Sequence, residues 1–195
     1  MTNRTDNFNR AGPAILGSTP SDSGGTWAGN GTWTIFSNTA TKSATPATSE
    51  VAYLESSVAD VDVVATMTAT GNAGLVARLS DTSNYIYARC ADFNVIIYKV
   101  VAGTFTQLGS TYSGITAVSD VWTLSVSGND LILKQNGTAR VTTSDAHNNT
   151  ATKHGFGAFG IDSGWDDFSI SETGGGFAQL PGRRVKQAVN RASTY

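Results

Sequence analysis

The sequence is poor in cysteine and in charge. Cys90 is the only cysteine among 195 residues, so the chain cannot form an internal disulfide. Charged residues make up 14% of the chain, well below the roughly 25% that is usual in soluble domains. The formal net charge of −2 argues against nucleic acid or a membrane surface as a partner of the chain as a whole.

The sequence also lacks the apolar runs of an export signal or a membrane span. The first ten residues, MTNRTDNFNR, are polar, whereas a signal peptide requires an apolar stretch. No run approaches the roughly 18 apolar residues of a membrane-spanning helix. We therefore expect that the protein is made in a cytoplasm and leaves it by lysis or inside an assembled particle.

Short strands and turns dominate what is present. Residues 58–70, VADVDVVATMTAT, alternate between polar and apolar side chains, as half-buried strands do. Residues 74–79 and 84–88 flank a polar turn, residues 95–101 lead into Gly103-Thr104, and Asn136-Gly137 is a strong turn signal. No helical period of useful length occurs before residue 177. Roughly ten to twelve strands are expected, which predicts an all-β, antiparallel two-sheet jelly-roll sandwich.

The C-terminal segment differs from the rest of the chain. Three consecutive glycines at 174–176 form a break, and no acidic residue follows Glu172. We predict a folded domain over residues 1–173 and a linker with a basic tail over 174–195. A disordered solubilising end or a weak phosphate-binding segment is the alternative. The residues expected to dock this tail on a partner subunit are Phe177, Leu180, Arg183, Arg184, Lys186 and Arg191.

Several motifs, in order, resemble one family. They are DNFNR at residues 6–10, GTWTI at 31–35, GLVAR at 74–78 and WDDFSI at 165–170. Over roughly residues 5 to 172 the chain is similar to laminin-G-like, concanavalin-A-like jelly rolls. The resemblance implies two packed antiparallel sheets, with the first strand paired to the last so that residues 6–8 lie near 167–168. Members of this family bind glycans or proteins, accompany catalytic domains, or form parts of phage particles.

The opening motif and the basic tail look most like phage structural proteins with this fold. They predict a virion protein, either a minor tail protein or a capsid decoration, present in several copies and held by its tail on other virion subunits. We expect it to adhere to host-surface glycans. A free carbohydrate-binding module or lectin is the alternative, and a glycan hydrolase is the third.

A catalytic role has little support in the residues. Glu50 and Glu55 have the glutamate spacing of related glucan hydrolases, but Ala52 stands where an aspartate is expected. In a regular strand, residues five apart face opposite sides. His147 and His154 have no nucleophile motif around them and are expected on the surface or in loops. We therefore predict that the protein is not an enzyme and holds no zinc.

Tyr85 and Tyr87 are the candidate glycan contacts. They lie on one side of a predicted strand, with Ile86 on the other side and Arg89 continuing theirs. If Ile86 packs inward, the tyrosines face out and form a platform for sugar rings; if they pack inward, they are ordinary core residues. Arg89 favours the open arrangement, because a buried charge without a partner is costly. Trp27, in a glycine-rich loop, is the further candidate contact.

Calcium is the candidate cofactor, since it takes oxygen ligands from carboxylates, amides and carbonyls. The alternative is turn chemistry, because Asp and Asn side chains hydrogen-bond their own backbone. The first candidate set, all in predicted loops, is Asp81, Asn84, Asp145 and Asn148; the second is Asp6, Asp166 and Asp167.

Overall fold

A computed structural model describes residues 3–18, 20–42, 49–159 and 163–173. The predicted tail, residues 174–195, and its six docking residues therefore lie outside the described residues. Within the described part of the chain, no helix is long and apolar enough to cross a membrane.

Every regular element among the described residues is a strand. In chain order the strands are β1 (Arg4–Asp6), β2 (Ala14–Ile15), β3 (Ala28–Gly29), β4 (Thr34–Phe36), β5 (Thr39–Lys42), β6 (Glu50–Glu55), β7 (Val61–Thr70), β8 (Ala73–Asp81), β9 (Asn84–Arg89), β10 (Val95–Val101), β11 (Thr104–Tyr112), β12 (Val121–Ser127), β13 (Asp130–Gln135), β14 (Thr138–Ser144), β15 (Lys153–Ala158) and β16 (Ser163–Glu172).

The strands form two antiparallel sheets. Sheet A has the order β14-β13-β12-β7-β16-β5-β4-β2, with β1 also paired to β16, and sheet B has the order β11-β10-β9-β8-β15-β6-β3. The predicted two-sheet jelly-roll sandwich is confirmed. Pairing of β1 with β16 sets Asp6 opposite Phe168, which confirms the expected contact between the first and last strands. The structure has more strands than the sequence predicted, because several N-terminal strands are only two or three residues long.

Strand β7 shows why the alternating pattern produces a sandwich. Val61, Val63, Ala65 and Met67 are buried on one side, and the residues between them are only partly covered on the other side. Burying one side of each sheet against the other removes apolar surface from water, which is the main favourable contribution to folding. Trp33, Trp122 and Trp165 are also buried.

The space between the sheets holds an inner aromatic cluster, which consists of Phe8, Trp27, Trp33, Phe156 and Phe168. The rings of Trp27, Trp33 and Phe168 have centroids 4.9 Å, 4.9 Å and 5.6 Å from the Phe156 ring. Several of these pairs are edge-on or tilted, which is the arrangement that aromatic quadrupoles favour. The cluster joins the N-terminal strands to β15 and β16.

His154 corrects the expectation of surface or loop histidines. It lies on β15, and its side chain is fully buried. Its Nδ1 accepts a hydrogen bond from the Arg78 backbone N–H at 3.2 Å, and its Nε2 lies 2.8 Å from the Val58 carbonyl oxygen. Burial lowers the pKa of His154 from 6.5 to about 4. The ring is therefore a neutral structural link between strands. His147 does lie in a loop, as expected, and is partly buried.

Candidate functional site

The tyrosines of β9 lie on the outer face of sheet B, the side that points away from sheet A. Ile86 and Ala88 join the core between the sheets, whereas Tyr85 and Tyr87 belong to a second apolar group on the other side of the strand. The tyrosines therefore lie on the side of β9 that a platform for sugar rings would require. Both rings are nevertheless buried on that side: Tyr85 is only 1% exposed and Tyr87 is fully covered. The prediction that these two rings form an open platform is wrong.

Two glycines on neighbouring strands explain how Tyr87 becomes buried on an outer face. Gly74 of β8 pairs directly with Gly157 of β15. A Cβ at Gly74 would lie 2.6 Å from Tyr87 Cζ, and one at Gly157 would lie 3.3 Å from Tyr87 Cε2. Only residues without a side chain leave room for the ring to lie across these strands. Burial also raises the pKa values of Tyr85 and Tyr87, since the phenolate form would be poorly solvated.

Further rings cover the two tyrosines and complete an outer aromatic cluster, which consists of Tyr85, Tyr87, Tyr98, Phe105 and Phe159. The Phe105 ring lies 6.4 Å from Tyr85, 6.0 Å from Tyr87 and 5.7 Å from Tyr98. The Phe159 ring lies 4.6 Å from Phe105 and 5.7 Å from Tyr87. Phe159 is 37% exposed, and Tyr98 and Phe105 are partly buried. The cluster thus has a buried base and a solvent-facing upper layer.

Phe105 and Phe159 form a ridge between two cavities on this face. We call one of them the Ser49 pocket; it has a volume of about 330 Å³ and is otherwise lined by Asn30, Ser49, Thr82, Ser83, Tyr85 and Gly103. We call the other the Arg89 pocket; it has a volume of about 410 Å³ and is otherwise lined by Asn72, Tyr87, Arg89 and Tyr98. Apolar walls with a few polar groups are typical of small-ligand sites.

Hydrogen bonds hold polar groups in the walls of both cavities. In the Ser49 pocket, Ser49 Oγ and Tyr85 Oη share a hydrogen bond of 2.7 Å. In the Arg89 pocket, Arg89 Nη2 donates to Asn72 Oδ1 at 2.6 Å, and Tyr87 Oη donates to the Asn72 carbonyl oxygen at 3.4 Å. Arg89 is partly buried, and its Nε–H is enclosed without a hydrogen-bond partner.

Sequence analysis missed most of the exposed part of this site. Phe105, Phe159, Tyr98 and Asn72 come from four separate segments. Strand alternation from Gly155 and Gly157 would have put Phe159 on the same side as those glycines, and a hairpin register would have placed Phe105 across from Val100, as it is in the structure. The meeting of Phe159 with Phe105 depends on the order of strands in sheet B, which no local pattern gives.

Trp27 is not a surface contact, contrary to the prediction. It is only 4% exposed and belongs to the inner aromatic cluster. Its Nε1–H donates to Asp6 Oδ2 at 2.7 Å, and its ring packs against Phe156 and Phe168. The glycine-rich composition around Trp27 indicated a loop, but the large apolar ring turns inward to the core.

The residues proposed for calcium make turn and ion-pair contacts instead. Asp81 Oδ1 accepts from the Ser83 backbone N–H at 2.8 Å and from the Asn84 amide at 2.9 Å, and these bonds, that of Asn84 first, lower the pKa of Asp81. Asp145 Oδ2 accepts from Lys99 Nζ at 2.9 Å. Asn148 presents its NH₂ donor to backbone carbonyls, including that of Asn84 at 3.0 Å.

This donor set does not fit a calcium ion, which needs several free oxygens around one point. Among the described residues, no group of three or more His, Cys, Asp or Glu side chains is placed to hold a metal. In the second candidate set, Asp6 is bound by Arg10 through two contacts of 2.7 Å and 2.8 Å, so its carboxylate is already neutralised.

Glu50 and Glu55 are the first and last residues of β6. Glu50 forms an ion pair with Lys42, and Glu55 Oε1 accepts from the Ser57 backbone N–H at 2.9 Å. Five strand steps of roughly 3.3 Å separate them by about 16 Å, whereas the paired carboxyls of a glycosidase lie about 5 to 9.5 Å apart. These two glutamates therefore do not form such a pair.

Comparison with solved structures identifies the architecture. No known protein family and no curated protein matches the sequence. The carbohydrate binding module CBM66 from Bacillus subtilis is similar in structure, with a TM-score of 0.60, 15% identity, and coverage of 74% of this chain and 95% of the module.

Two glucanases are also similar. A prokaryotic β-1,3-1,4-glucanase (lichenase) derived from a mouse hindgut metagenome has a TM-score of 0.57 at 9% identity and covers 88% of this chain and 99% of its own. The Bacillus licheniformis β-glucanase has a TM-score of 0.54 at 9% identity, with coverage of 88% and 98%. At such identities the likeness shows the fold alone. The chain therefore shares the jelly-roll fold of these three proteins.

Proposed function

We propose that this protein binds glycans on the outer face of sheet B and that it acts as a carbohydrate-binding jelly roll. The likeness to a carbohydrate binding module supports this more than it supports the virion role that the sequence predicted. The fold alone does not decide function, so the proposal depends on the site itself.

One observation carries the proposal, namely the Phe105–Phe159 ridge between two pockets. Phe159 is 37% exposed, so part of its ring is open to a ligand. Aromatic rings bury a large apolar area in a fixed shape, which suits the apolar faces of pyranose or furanose rings. The polar groups of both pockets stand beside these rings, where sugar hydroxyls need donors and acceptors. A ridge with a pocket on either side suits a chain of sugars better than a single sugar.

A glycan array followed by calorimetry on the best hits tests the proposal. We expect Phe159→Ala and Phe105→Ala each to weaken binding by about tenfold or more, as loss of a central aromatic anchor does. Phe36→Ala is the matched control, because Phe36 on β4 of sheet A is 59% exposed but lies outside both pockets. The proposal fails if no glycan binds, or if the Phe36 and Phe159 variants lose affinity equally.

A virion role is the narrower proposal that the sequence adds. Its support is the charge contrast between the acidic domain and the basic residues beyond Glu172. Many copies on a particle would convert weak glycan contacts into useful avidity. Deletion of residues 177–195 should then abolish incorporation into particles while leaving the domain folded and glycan binding intact. Normal incorporation of the truncated protein would refute the tail anchor.

Glycan hydrolysis is the remaining alternative, and the glucanase likeness makes it worth measuring. We expect no release of reducing ends from β-1,3-1,4-glucan. If the protein does release them, Glu50→Gln and Glu55→Gln decide whether the β6 glutamates are responsible.

A further inference from the structure

We propose that the Arg89 pocket binds a carboxylate, so that the preferred ligand is an acidic glycan with a uronic or sialic acid residue. This inference rests on the proposed glycan-binding function. It predicts the charge of the ligand and its orientation across the Phe105–Phe159 ridge. Four features of the outer face of sheet B carry it.

The first feature is that the Arg89 guanidinium has no counter-ion among the described residues. Four ion pairs occur there, Arg10–Asp6, Lys42–Glu50, Arg78–Asp60 and Lys99–Asp145, and none of them includes Arg89. Its hydrogen bond goes to a neutral amide, that of Asn72. The charge of this partly buried guanidinium is therefore not matched by an anion of the described residues, and a ligand carboxylate would match it.

The second feature is the fixed orientation of the Arg89 guanidinium, whose Nε–H is enclosed by the protein and whose Nη groups line the pocket. Guanidinium presents five N–H donors in a planar fork that matches the two oxygens of a carboxylate. Arg89 Nη2 donates one of these hydrogen bonds to Asn72 Oδ1, which fixes the plane of the guanidinium. The other N–H donors of the Nη groups are therefore oriented before any ligand arrives, which reduces the entropy lost on binding.

The third feature is that the described residues around both cavities include no acidic side chain. Among residues 3–18, 20–42, 49–159 and 163–173, no Asp or Glu lines the Arg89 pocket or the Ser49 pocket, although the chain carries 15 acidic residues in total. An anion in the Arg89 pocket would thus meet no like charge among these lining residues. The negative charges elsewhere on the domain are largely screened beyond a Debye length of about 8 Å at physiological salt.

The fourth feature is the asymmetry across the Phe105–Phe159 ridge. The polar groups of the Arg89 pocket include a cation, whereas those of the Ser49 pocket are hydroxyls, an amide and backbone groups. A ligand that crosses the ridge should therefore place its acidic sugar beside Arg89 and a sugar without a charge requirement beside Ser49.

Matched pairs of glycans test this on the full-length protein. The probes are oligogalacturonides against the same oligomers with methyl-esterified carboxyls, and sialyllactose against lactose. We expect the acidic member of at least one pair to bind about ten- to a hundredfold more tightly, in line with hydrogen bonds to a charged group. Raising the salt concentration should reduce that preference.

Arg89 variants show whether the preference arises at the proposed group. Arg89→Gln should remove the acidic preference and leave binding of the neutral probe largely unchanged. Arg89→Lys should restore part of it, since it keeps the charge and loses the fork. Arg140→Gln is the matched control, because Arg140 on β14 of sheet A changes the net charge equally and lies outside both pockets.

The possible outcomes separate the two proposals. Equal binding of acidic and neutral probes overturns the carboxylate inference and leaves glycan binding standing. Binding of no probe and of no other glycan on the array overturns both. A sulfated probe that binds more tightly than the carboxylated ones also overturns the inference. If the Arg89→Gln variant keeps the preference for acidic glycans, the inference is also overturned, because the preference would then arise elsewhere on the surface.

Discussion

Two aromatic clusters of the described residues, one on each side of sheet B, differ in exposure. In the inner cluster the most exposed ring is Trp27, at 4%. In the outer cluster exposure rises from the fully buried Tyr87 to Phe159, at 37%. The inner rings have neighbours on all sides from both sheets, whereas nothing in the described part of the chain closes over the top of Phe159.

This difference in exposure separates aromatic rings that stabilise the fold from aromatic rings that can contact a ligand. A ring enclosed on every side can only stabilise the fold, since its surface is already used. A partly exposed ring on a buried aromatic base is held in place and still has a face to offer, as binding hot spots do. Substitutions in the inner cluster should therefore change stability, and substitutions in the upper layer of the outer cluster should change binding.

The largest expected effect is that of Phe156→Ala in the inner cluster. Phe156 is fully buried and contacts Phe8, Trp27, Trp33 and Phe168. Its truncation should lower the free energy of unfolding by about 3 to 5 kcal/mol, measured by urea denaturation. A loss below about 1 kcal/mol would show that the inner cluster is not tightly packed.

Low pH should also lower the stability of the fold, through protonation of the buried His154. Its pKa is lowered to about 4 in the folded chain, from 6.5, so between these values the unfolded chain binds a proton that the folded chain does not. Stability should be complete above about pH 6.5 and fall by about 3 kcal/mol as the pH drops to 4. His154→Gln should flatten the slope between pH 6.5 and 5 in denaturation curves, while His147→Gln should leave it unchanged. A slope that survives in the His154 variant would assign it to another group.

Phe159→Ala should lower glycan affinity and change stability little, whereas Phe156→Ala should mainly lower stability. Because Phe159 is partly exposed, its loss should change the free energy of unfolding by about 1 kcal/mol or less while glycan affinity falls by about tenfold. Both quantities are measurable on one preparation by denaturation and calorimetry. A variant that loses stability but keeps its affinity would place Phe159 with the packing residues and break the distinction between the clusters.

The smallest expected effect concerns the buried base of the outer cluster. Tyr85→Phe removes the 2.7 Å hydrogen bond with Ser49 and should cost about 0.5 to 1.5 kcal/mol of stability. Ser49→Ala should cost a similar amount, and the double variant should cost little more than either one, because both remove the same bond. Fully additive losses would show that the two hydroxyls do not depend on each other.

Local patterns were enough for the strands and most turns. Alternation in residues 58–70 anticipated β7, and the polar and glycine turns anticipated the β8–β9, β10–β11 and β13–β14 hairpins. These features are local, because side chains alternate along a strand and a tight turn sets the register of its own hairpin. The same alternation correctly put Tyr85, Tyr87 and Arg89 on one side of β9.

Burial of the candidate site residues was not a local property. The glycine-rich context suggested that Trp27 was in an open loop, and the charge of Arg89 favoured uncovered tyrosines. In the structure Phe156 covers Trp27, and Phe105 and Phe159 cover the tyrosines. The covering residues lie far away in sequence. Likewise, the spacing of Asp81 and Asp145 gave no sign that Lys99 binds one of them.

The sequence by itself determined an all-β sandwich, which alternate residues share one side of a strand such as β9, and where the main hairpin turns lie, because these follow from the two-residue period and from turn geometry. Only the tertiary structure decided which aromatic rings are exposed and which charges are paired. The order β11-β10-β9-β8-β15-β6-β3 brings Phe159 from the end of β15 onto Phe105 of β11. It also leaves Arg89 beside Asn72 with no acidic partner among the described residues. Such contacts depend on how strands distant in sequence are placed side by side.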